Sequence, residues 1–151
     1  MDLAIISKYF LPVLGFVDRN FEGGVCLKSE LLDPNERQNI RKTCSTERIL
    51  AVAAAISIIA ISLLLITTHS LLGIALGVTL AGLGLIVTHD FYRVADNTIK
   101  LIDRIAQGKI SEDKLKNAKE KSISKYISQG TIFARSLVDF LIARKKAAKQ
   151  T

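Results

Sequence analysis

The dominant pattern in this chain is a run of 41 residues, 49–89, that contains no Asp, Glu, Lys or Arg. The run holds two apolar segments of 18 residues each, 49–66 and 71–88, separated by the polar stretch 67–70. An 18-residue helix is about 27 Å long, close to the ~30 Å hydrocarbon core of a bilayer, whereas one helix over the whole run would measure about 60 Å. The pattern therefore predicts a hairpin of two transmembrane helices.

A pair of helices in the core of a soluble bundle is the alternative interpretation of this run. It requires a polar face on each helix, because a domain of this size cannot cover a helix on all sides. Ser57 and Ser62 are the polar residues of the first apolar segment, and a serine hydroxyl can bond to a carbonyl of its own helix. Neither segment has a polar face, which favours the transmembrane interpretation.

Small residues form a stripe on the second apolar segment. Gly73 and Gly77 make a GxxxG step that Ala81 extends, so that another helix can approach closely. We expect this stripe to pack within the hairpin, and self-association through the same stripe is the alternative. The first segment offers two matching small faces, Ala51 with Ala55 and Ala53 with Ser57.

Basic residues flank both ends of the run. They are Arg37, Arg41, Lys42 and Arg48 before it, and Arg93, Lys100 and Arg104 after it. The connecting turn has none, so both termini should lie on the same, non-translocated side of the membrane. His69 is then a solvated turn residue, and no metal site is expected, because His89 lies about a bilayer's thickness away.

The region before the hairpin divides into an apolar segment, 1–18, and a polar linker, 19–47. The first is not expected to be a conventional export signal, because Asp2 replaces a basic start and Pro12 interrupts the apolar stretch. It is expected to lie on the membrane surface or to pack on the C-terminal region. The linker contains Gly23 and Gly24 and the turn signal Asp33-Pro34-Asn35, and it is expected to hold at most a short helix.

Cys26 and Cys44 lie 18 residues apart in this linker, too few for a cysteine-based zinc site. Cys44 is close enough to the first apolar segment for acylation to be considered. A reduced thiol is the preferred interpretation.

Residues 90–151 are predicted to form a basic, amphipathic helical region of three short helices. The first helix has one apolar face, can continue straight from the second apolar segment, and ends near Gly108. Ser111 caps a second helix, which begins near Glu112 and ends before Gly130. Thr131 caps the third. The apolar faces are Phe91, Val94, Thr98, Leu101, Ile102 and Ile105; then Leu115, Ala118, Ser122, Ile123, Tyr126 and Ile127; then Phe133, Leu137, Phe140 and Leu141. The fold class is all-α, a two-helix transmembrane hairpin followed by this small helical region.

The formal net charge of +7 lies entirely in the last part of the chain. Residues 1–104 carry 10 basic and 10 acidic side chains, and 105–151 carry 11 basic and 4 acidic. Each basic residue near an anionic leaflet contributes about 1 kcal/mol of attraction, although a solvated helix face is the equal alternative. The candidate contacts to anionic membrane lipid or to a protein partner are Lys114, Lys116, Lys119, Lys121, Lys125, Arg144, Lys145, Lys146 and Lys149.

The sequence shows no equipment for catalysis, and no cofactor is expected. The two histidines bracket a membrane helix, and neither a glycine-rich loop after a strand nor a nucleophile with its base is present. The neighbours His89 and Asp90 diverge by about 100° on a helix and serve better as a polar anchor at the helix end. Nucleic acid is not an expected partner, because the chain is 6% aromatic and has no stacking row.

The layout over 48–93, RILAVAAAISIIAISLLLITTHSLLGIALGVTLAGLGLIVTHDFYR, resembles that of the chlamydial inclusion membrane (Inc) proteins. The common features are two closely spaced apolar lobes, a short polar turn and a helical tail. The resemblance implies secretion by a type III system, insertion in the host-derived vacuole (inclusion) membrane, and both termini in the host cytosol, where they bind trafficking or cytoskeletal proteins.

The leading functional hypothesis is therefore an integral membrane interaction protein that displays a helical domain to an unidentified protein partner. A membrane-shaping or pore-forming hairpin oligomer is the alternative, in which the Gly73 stripe sets a homo-oligomer. A pore needs a polar line, for which the run offers Ser57, Ser62, Thr79 and Thr88. A bacterial inner-membrane accessory protein would share the hairpin and differ in location.

Overall fold

The computed structural model describes residues 25–129 and 132–150, and within these ranges it contains helices and no strand. The helices are α1 (Lys28–Leu32), α2 (Pro34–Ile66), α3 (Leu71–Ala106), α4 (Glu112–Asn117), α5 (Glu120–Ile127) and α6 (Ile132–Gln150). The long helices α2 and α3 form an antiparallel hairpin, and shorter helices follow it. The predicted all-α class and hairpin architecture are confirmed.

The polar turn between α2 and α3 satisfies its own hydrogen bonds. The hydroxyl of Thr67 donates to the Leu64 carbonyl (2.7 Å), and the Ser70 hydroxyl accepts from the N–H of Gly73 (3.0 Å), which caps α3. His69 has a φ of 52°, in the left-handed region, and is exposed. Four residues thus reverse the chain, as the pattern predicted.

Gly73, Gly77 and Gly84 bring α3 into close contact with α2. A Cβ atom on Gly77 would lie 2.8 Å from the Ser62 carbonyl oxygen, and one on Gly84 would lie 2.9 Å from the Ile58 side chain. Ala81 is half-buried on the same helix. The small-residue stripe therefore packs inside the hairpin, which was the preferred interpretation.

The expected partners of this stripe were wrong. Ala51 and Ala55, or Ala53 and Ser57, were expected opposite the glycines, but Gly73 and Gly77 face the last turns of α2, near Ser62 and Leu65. The four-residue turn sets this register, because it places the start of α3 beside the end of α2. Ala51 instead packs against Phe91, at the other end of the apolar run.

The polar linker predicted over 19–47 is shorter in the structure, because α2 begins at Pro34. Asp33 accepts a hydrogen bond from the N–H of Asn35 (2.9 Å), and proline suits the first helical position. The Asp-Pro-Asn sequence, interpreted as a turn, is a helix start. Four residues at helical spacing, Ile40, Cys44, Glu47 and Ala51, are buried along one face of this helix.

Below the apolar run, α2 and α3 continue as a stalk, which we define as residues 34–48 and 90–106. The shorter helices pack on this stalk and enclose one hydrophobic core. The predicted apolar face of the first C-terminal helix is confirmed, because all six of its residues are buried. The core residues are Val25, Cys26, Leu27, Leu31, Ile40, Cys44, Val94, Ala95, Ile99, Leu101, Ile102, Ile105, Leu115, Ile123, Ile127, Ala134, Val138, Leu141 and Ile142.

The segment after Gly108 departs from the prediction at one point. Gly108 has a φ of 69° and ends α3, and Ser111 accepts from the N–H of Lys114 (3.3 Å), both as expected. The predicted second helix, however, is divided where Ala118 and Lys119 are extended. The break lets α4 pack against α1 while α5 packs against α3 and α6, and it leaves Ser122 exposed outside the core.

The buried face of α6 also differs from the predicted one. Phe140, expected in the core, is 61% exposed, and Val138 is fully buried. Leu141 is buried as predicted, and Leu137 is half-buried. Residues 1–24, Thr131 and the Phe133 side chain lie outside the described part of the chain, so the predictions made on them stay predictions.

We predict that Gly77→Leu destabilises the hairpin by about 1–3 kcal/mol, because the side chain would collide with the Ser62 carbonyl. Gly82→Leu is the matched control, since a Cβ on Gly82 meets no atom within 4 Å. The measurement is the thermal midpoint of the full chain in detergent micelles, together with its oligomeric state. An unchanged midpoint with loss of an oligomer would show that Gly77 serves self-association instead.

Candidate membrane anchor and basic surface

Residues 49–89 form the upper part of the hairpin, and we call this region the belt because apolar side chains cover its surface. Only 11% of the apolar window of each helix is buried, whereas the core helix of a soluble protein is mostly buried. Both helices are long and apolar enough to cross a membrane. In the described part of the chain, the exposed large hydrophobic residues of the belt are Ile49, Val52, Ile56, Ile59, Ile61, Leu63, Leu64, Leu71, Leu72, Ile74, Leu76, Val78, Leu83, Leu85 and Ile86.

Charged side chains join the two helices directly below the belt. The Arg48 guanidinium donates to the Tyr92 hydroxyl (3.0 Å) and lies 3.3 Å from the Asp96 carboxylate. About two helical turns further from the belt, Arg41 pairs with Asp103 at 2.9 Å. These arginines, which are predicted to orient the hairpin in the membrane, also hold α2 to α3.

His89 and Asp90 stand at the lower edge of the belt and differ in exposure. The His89 side chain is 62% exposed, and the Asp90 side chain is 1% exposed, with 3.8 Å between His89 Nδ1 and Asp90 Oδ1. A mainly apolar cavity of about 510 Å³ adjoins them, lined also by Ala51 and Leu85. The exposed His89 suits the predicted polar anchor, whereas Asp90 is buried beside the cavity.

Three of the predicted contact lysines are engaged inside the protein. Lys145 lies 3.0 Å from the Glu30 carboxylate and donates to the Val25 carbonyl at 2.7 Å. Lys149 pairs with the same carboxylate at 3.0 Å, and Lys146 pairs with Glu120. These ion pairs connect α6 to α1 and α5, and the predicted contact of these lysines with a membrane or a partner stays a prediction.

These paired lysines also lie far from the belt. Leu137 packs against the Ala51–Phe91 cluster at the belt edge, and Lys149 is 12 residues further along α6, a distance of about 18 Å. The remaining candidates on α6 and on the helices before it are exposed. Lys114, Lys116, Lys119, Lys121 and Lys125 have no ion-pair partner among the described residues, and Arg144 is also exposed.

Glu30, on α1, is the carboxylate that Lys145 and Lys149 share, and it is 5% exposed. Burial raises the pKa of its carboxyl, but the Leu27 N–H and the Lys149 and Lys145 ammonium groups outweigh burial and hold the pKa below its usual value. The Leu27 N–H donates to Glu30 at 2.9 Å, which also caps α1. One carboxylate therefore joins α1 to α6.

Cys26 and Cys44 are both buried in the core, and neither forms a disulfide. Burial raises the pKa of Cys26 to about 12, and burial and the Glu47 carboxylate also raise the pKa of Cys44. Cys44 is 0% exposed. Acylation at Cys44 is therefore disfavoured by its position, and the interpretation as a plain reduced thiol is preferred.

The polar residues of the belt do not form a line suited to a pore. The hydroxyls of Ser57, Thr79 and Thr88 each donate to a carbonyl of their own helix, at 2.8–3.0 Å. Ser62 is buried between the helices, whereas Ser57 and Thr79 are exposed. The Ser62 hydroxyl has no hydrogen-bond partner among the described residues. The local bonds of the other three hydroxyls suit helices surrounded by lipid.

No family model, curated protein or solved structure matches this chain. Among residues 25–129 and 132–150, no three His, Cys, Asp or Glu side chains lie close enough together to hold a metal ion. The residues that carry function are therefore inferred from the geometry alone.

We predict that acid releases α6 from α1. The lowered pKa of Glu30 stabilises the fold at pH values above the ordinary carboxyl value of 4.5, and this contribution is lost as the pH falls through the lower, folded-state value. Glu30→Gln should remove this acid-dependent loss and destabilise the protein at neutral pH. Thermal unfolding against pH measures it, with the exposed Glu36→Gln as control. Identical pH profiles for the parent chain and Glu30→Gln would contradict the assignment.

We also predict that Cys26 and Cys44 resist alkylation in the folded protein. Their burial and raised pKa values should slow reaction with a maleimide at least about tenfold relative to an exposed cysteine introduced by Lys114→Cys. Mass spectrometry after timed labelling reads each site, and denatured protein should label at all three. Rapid labelling of either native cysteine would show that the core opens.

Proposed function

We propose that this chain is an integral membrane interaction protein, in which the hairpin anchors a helical domain at the membrane surface. The observation that carries the proposal is the abrupt change of surface at residues 48 and 90 along two unbroken helices. Above this level large apolar side chains are exposed all round the hairpin, and below it they are enclosed by α1 and α4–α6. Lipid is the solvent that suits the upper half, and water suits the lower half.

The short turn of the hairpin supports an orientation with both ends of the described chain on one side. The turn at 67–70 carries no charge, whereas the stalk carries several basic residues. Only this turn then crosses the membrane, and the whole helical domain stays on the side from which the chain inserted.

The resemblance to inclusion membrane proteins gives this proposal a cellular setting. In that setting the chain is secreted by a type III system and inserted in the vacuole membrane, with its domain in the host cytosol. The domain then recruits host trafficking or cytoskeletal proteins. A bacterial inner-membrane accessory protein would have the same geometry, and fractionation of infected cells distinguishes the two locations.

Cysteine accessibility in sealed vesicles tests the anchor. Single cysteines at His69, Lys114 and Gln150, each exposed, are probed with a membrane-impermeant maleimide, and the parent chain with its two buried cysteines is the blank. We expect labelling at 114 and 150 from one face and at 69 from the other. Labelling of all three from one face would mean that the helices do not span the membrane.

Recruitment is tested with surface substitutions rather than by removing the C-terminal helices. Deleting 109–151 would expose the stalk residues that α5 and α6 cover, such as Ile99 and Ile102, and would unfold the domain. Replacing the exposed Lys114, Lys116 and Lys119 with glutamate leaves the core intact. Loss of a partner by these variants, with normal membrane insertion, is the expected result, and retention of every partner would contradict a role for this basic surface.

A further inference from the structure

A small polar groove lies between α5 and α6 and has no role in the anchor described above. Its volume is about 240 Å³. Its lining combines three cationic side chains, two hydroxyls and one carboxylate, namely Lys121, Lys125, Arg135, Ser124, Ser128 and Asp139. The groove is therefore rich in hydrogen-bond donors and carries an excess of positive charge.

The three cationic groups in this groove are not neutralised by the protein. Lys121 and Lys125 lie one turn apart on α5, and Arg135 lies in the first turn of α6, where the helix dipole also favours an anion. None of the three has an ion-pair partner within 4 Å in the described part of the chain. Asp139 accepts a hydrogen bond from the Ser124 hydroxyl at 2.8 Å and leaves the lining with two net positive charges.

Ser128 supplies an independent sign of a ligand. Its side chain is 3% exposed and lines the groove, and its hydroxyl has no hydrogen-bond partner. A buried hydroxyl without a partner costs about 1–3 kcal/mol, so such groups are rare unless an absent molecule satisfies them. Because Ser128 lines the groove, an anion bound there would supply the acceptor that this hydroxyl lacks.

A guanidinium, two ammonium groups and a hydroxyl are the donors that proteins use for phosphoryl oxygens. We propose that the groove binds a phosphoryl group, and that its source is the phosphorylated headgroup of a lipid in the membrane that holds the hairpin. The volume of the groove suits a single headgroup phosphate and is below the size of a typical cavity for a larger organic ligand.

The position of the groove favours a lipid as the source. The Ile127 carbonyl, at the end of α5, accepts from Asn97 at 3.1 Å, and Asn97 is eight residues past the end of the belt, about 12 Å along α3. Leu137, two residues after Arg135, contacts the cluster at the belt edge. Headgroups extend about 5–8 Å beyond the hydrocarbon, so a headgroup with an additional phosphate reaches the groove. This step rests on the proposed membrane anchor.

The first test uses soluble probes and does not depend on membrane insertion. The full chain in non-ionic detergent is titrated with inorganic phosphate and with inositol hexakisphosphate, and binding is measured by calorimetry. We expect Arg135→Ala and Lys121→Ala each to weaken binding by about tenfold, the effect of losing one charged hydrogen bond. Lys114→Ala and Lys116→Ala remove the same charge from α4, outside the groove, and should change the affinity little.

Ser128→Ala separates a binding role from a structural one. Without a ligand it removes an unsatisfied buried hydroxyl, so the thermal midpoint should be unchanged or raised, while phosphate affinity falls. A lowered midpoint with unchanged affinity would overturn the assignment of this residue. If the groove variants and the α4 variants lose affinity equally, the binding is non-specific charge attraction, and the proposed site is overturned.

The second test identifies the source of the phosphoryl group. The chain is reconstituted in phosphatidylcholine nanodiscs with and without a few per cent of phosphatidylinositol 4-phosphate, and the thermal midpoint is compared. A rise that Arg135→Ala abolishes and Lys114→Ala retains supports the lipid source. Binding of the soluble probes without any lipid effect overturns that source. Phosphate binding by a chain that fails the accessibility test would refute the membrane anchor and leave the site standing.

Discussion

The structure depends on one continuous antiparallel contact between α2 and α3. In the proposed membrane setting the hydrophobic effect does not drive this contact within the belt, because lipid is as apolar as the helix surfaces. The contact there relies on close packing at Gly73, Gly77 and Gly84. In the stalk the same two helices are held by burial of apolar side chains and by Arg41–Asp103 and Arg48–Asp96. The change from close glycine packing to burial and ion pairing occurs at the Ala51–Phe91 cluster.

Because the two long helices continue below the belt, the helical domain is built around them and does not fold as a unit separate from the hairpin. Its core includes Ile40 and Cys44 from α2 and Val94 to Ile105 from α3, so the stalk is the centre of the domain. The shorter helices complete it from outside, and Glu30 joins the first of them to the last through Lys145 and Lys149. Any rotation of α2 against α3 in the membrane would therefore disturb this core directly.

Features with a strong local signal were predictable from the sequence. The uncharged run identified the hairpin but not the full length of its helices, which extend beyond the run at the ends away from the turn. The polar residues at 67–70 identified the turn, and the spacing from Phe91 to Ile105 identified a face that is buried throughout. The start of α2 at Pro34 was missed because Asp-Pro-Asn suits both a turn and a helix start. The signal that separates the two was present in the helical spacing of Ile40, Cys44 and Ala51.

Other features depended on tertiary contacts that no local pattern records. The break at Ala118–Lys119 contains neither glycine nor proline and is set by the packing of α4 on α1. The exposure of Phe140 follows from the rotation of α6, which places Val138 in the core instead. Register between helices is likewise a property of the turn geometry, which is why the partners of the glycines were misassigned.

The distribution of charge shows why net charge alone is a poor guide to function. The basic excess of the C-terminal region divides by position, because lysines late in α6 are used to hold the fold, whereas those on α4 and α5 remain exposed. The groove between α5 and α6, near the belt, combines unneutralised charge with a buried, unsatisfied hydroxyl at Ser128. Charges on an open surface are screened within about 8 Å at physiological salt, whereas a partly enclosed set retains its attraction for an anion. The groove is therefore where the basic character of this region can produce a specific contact.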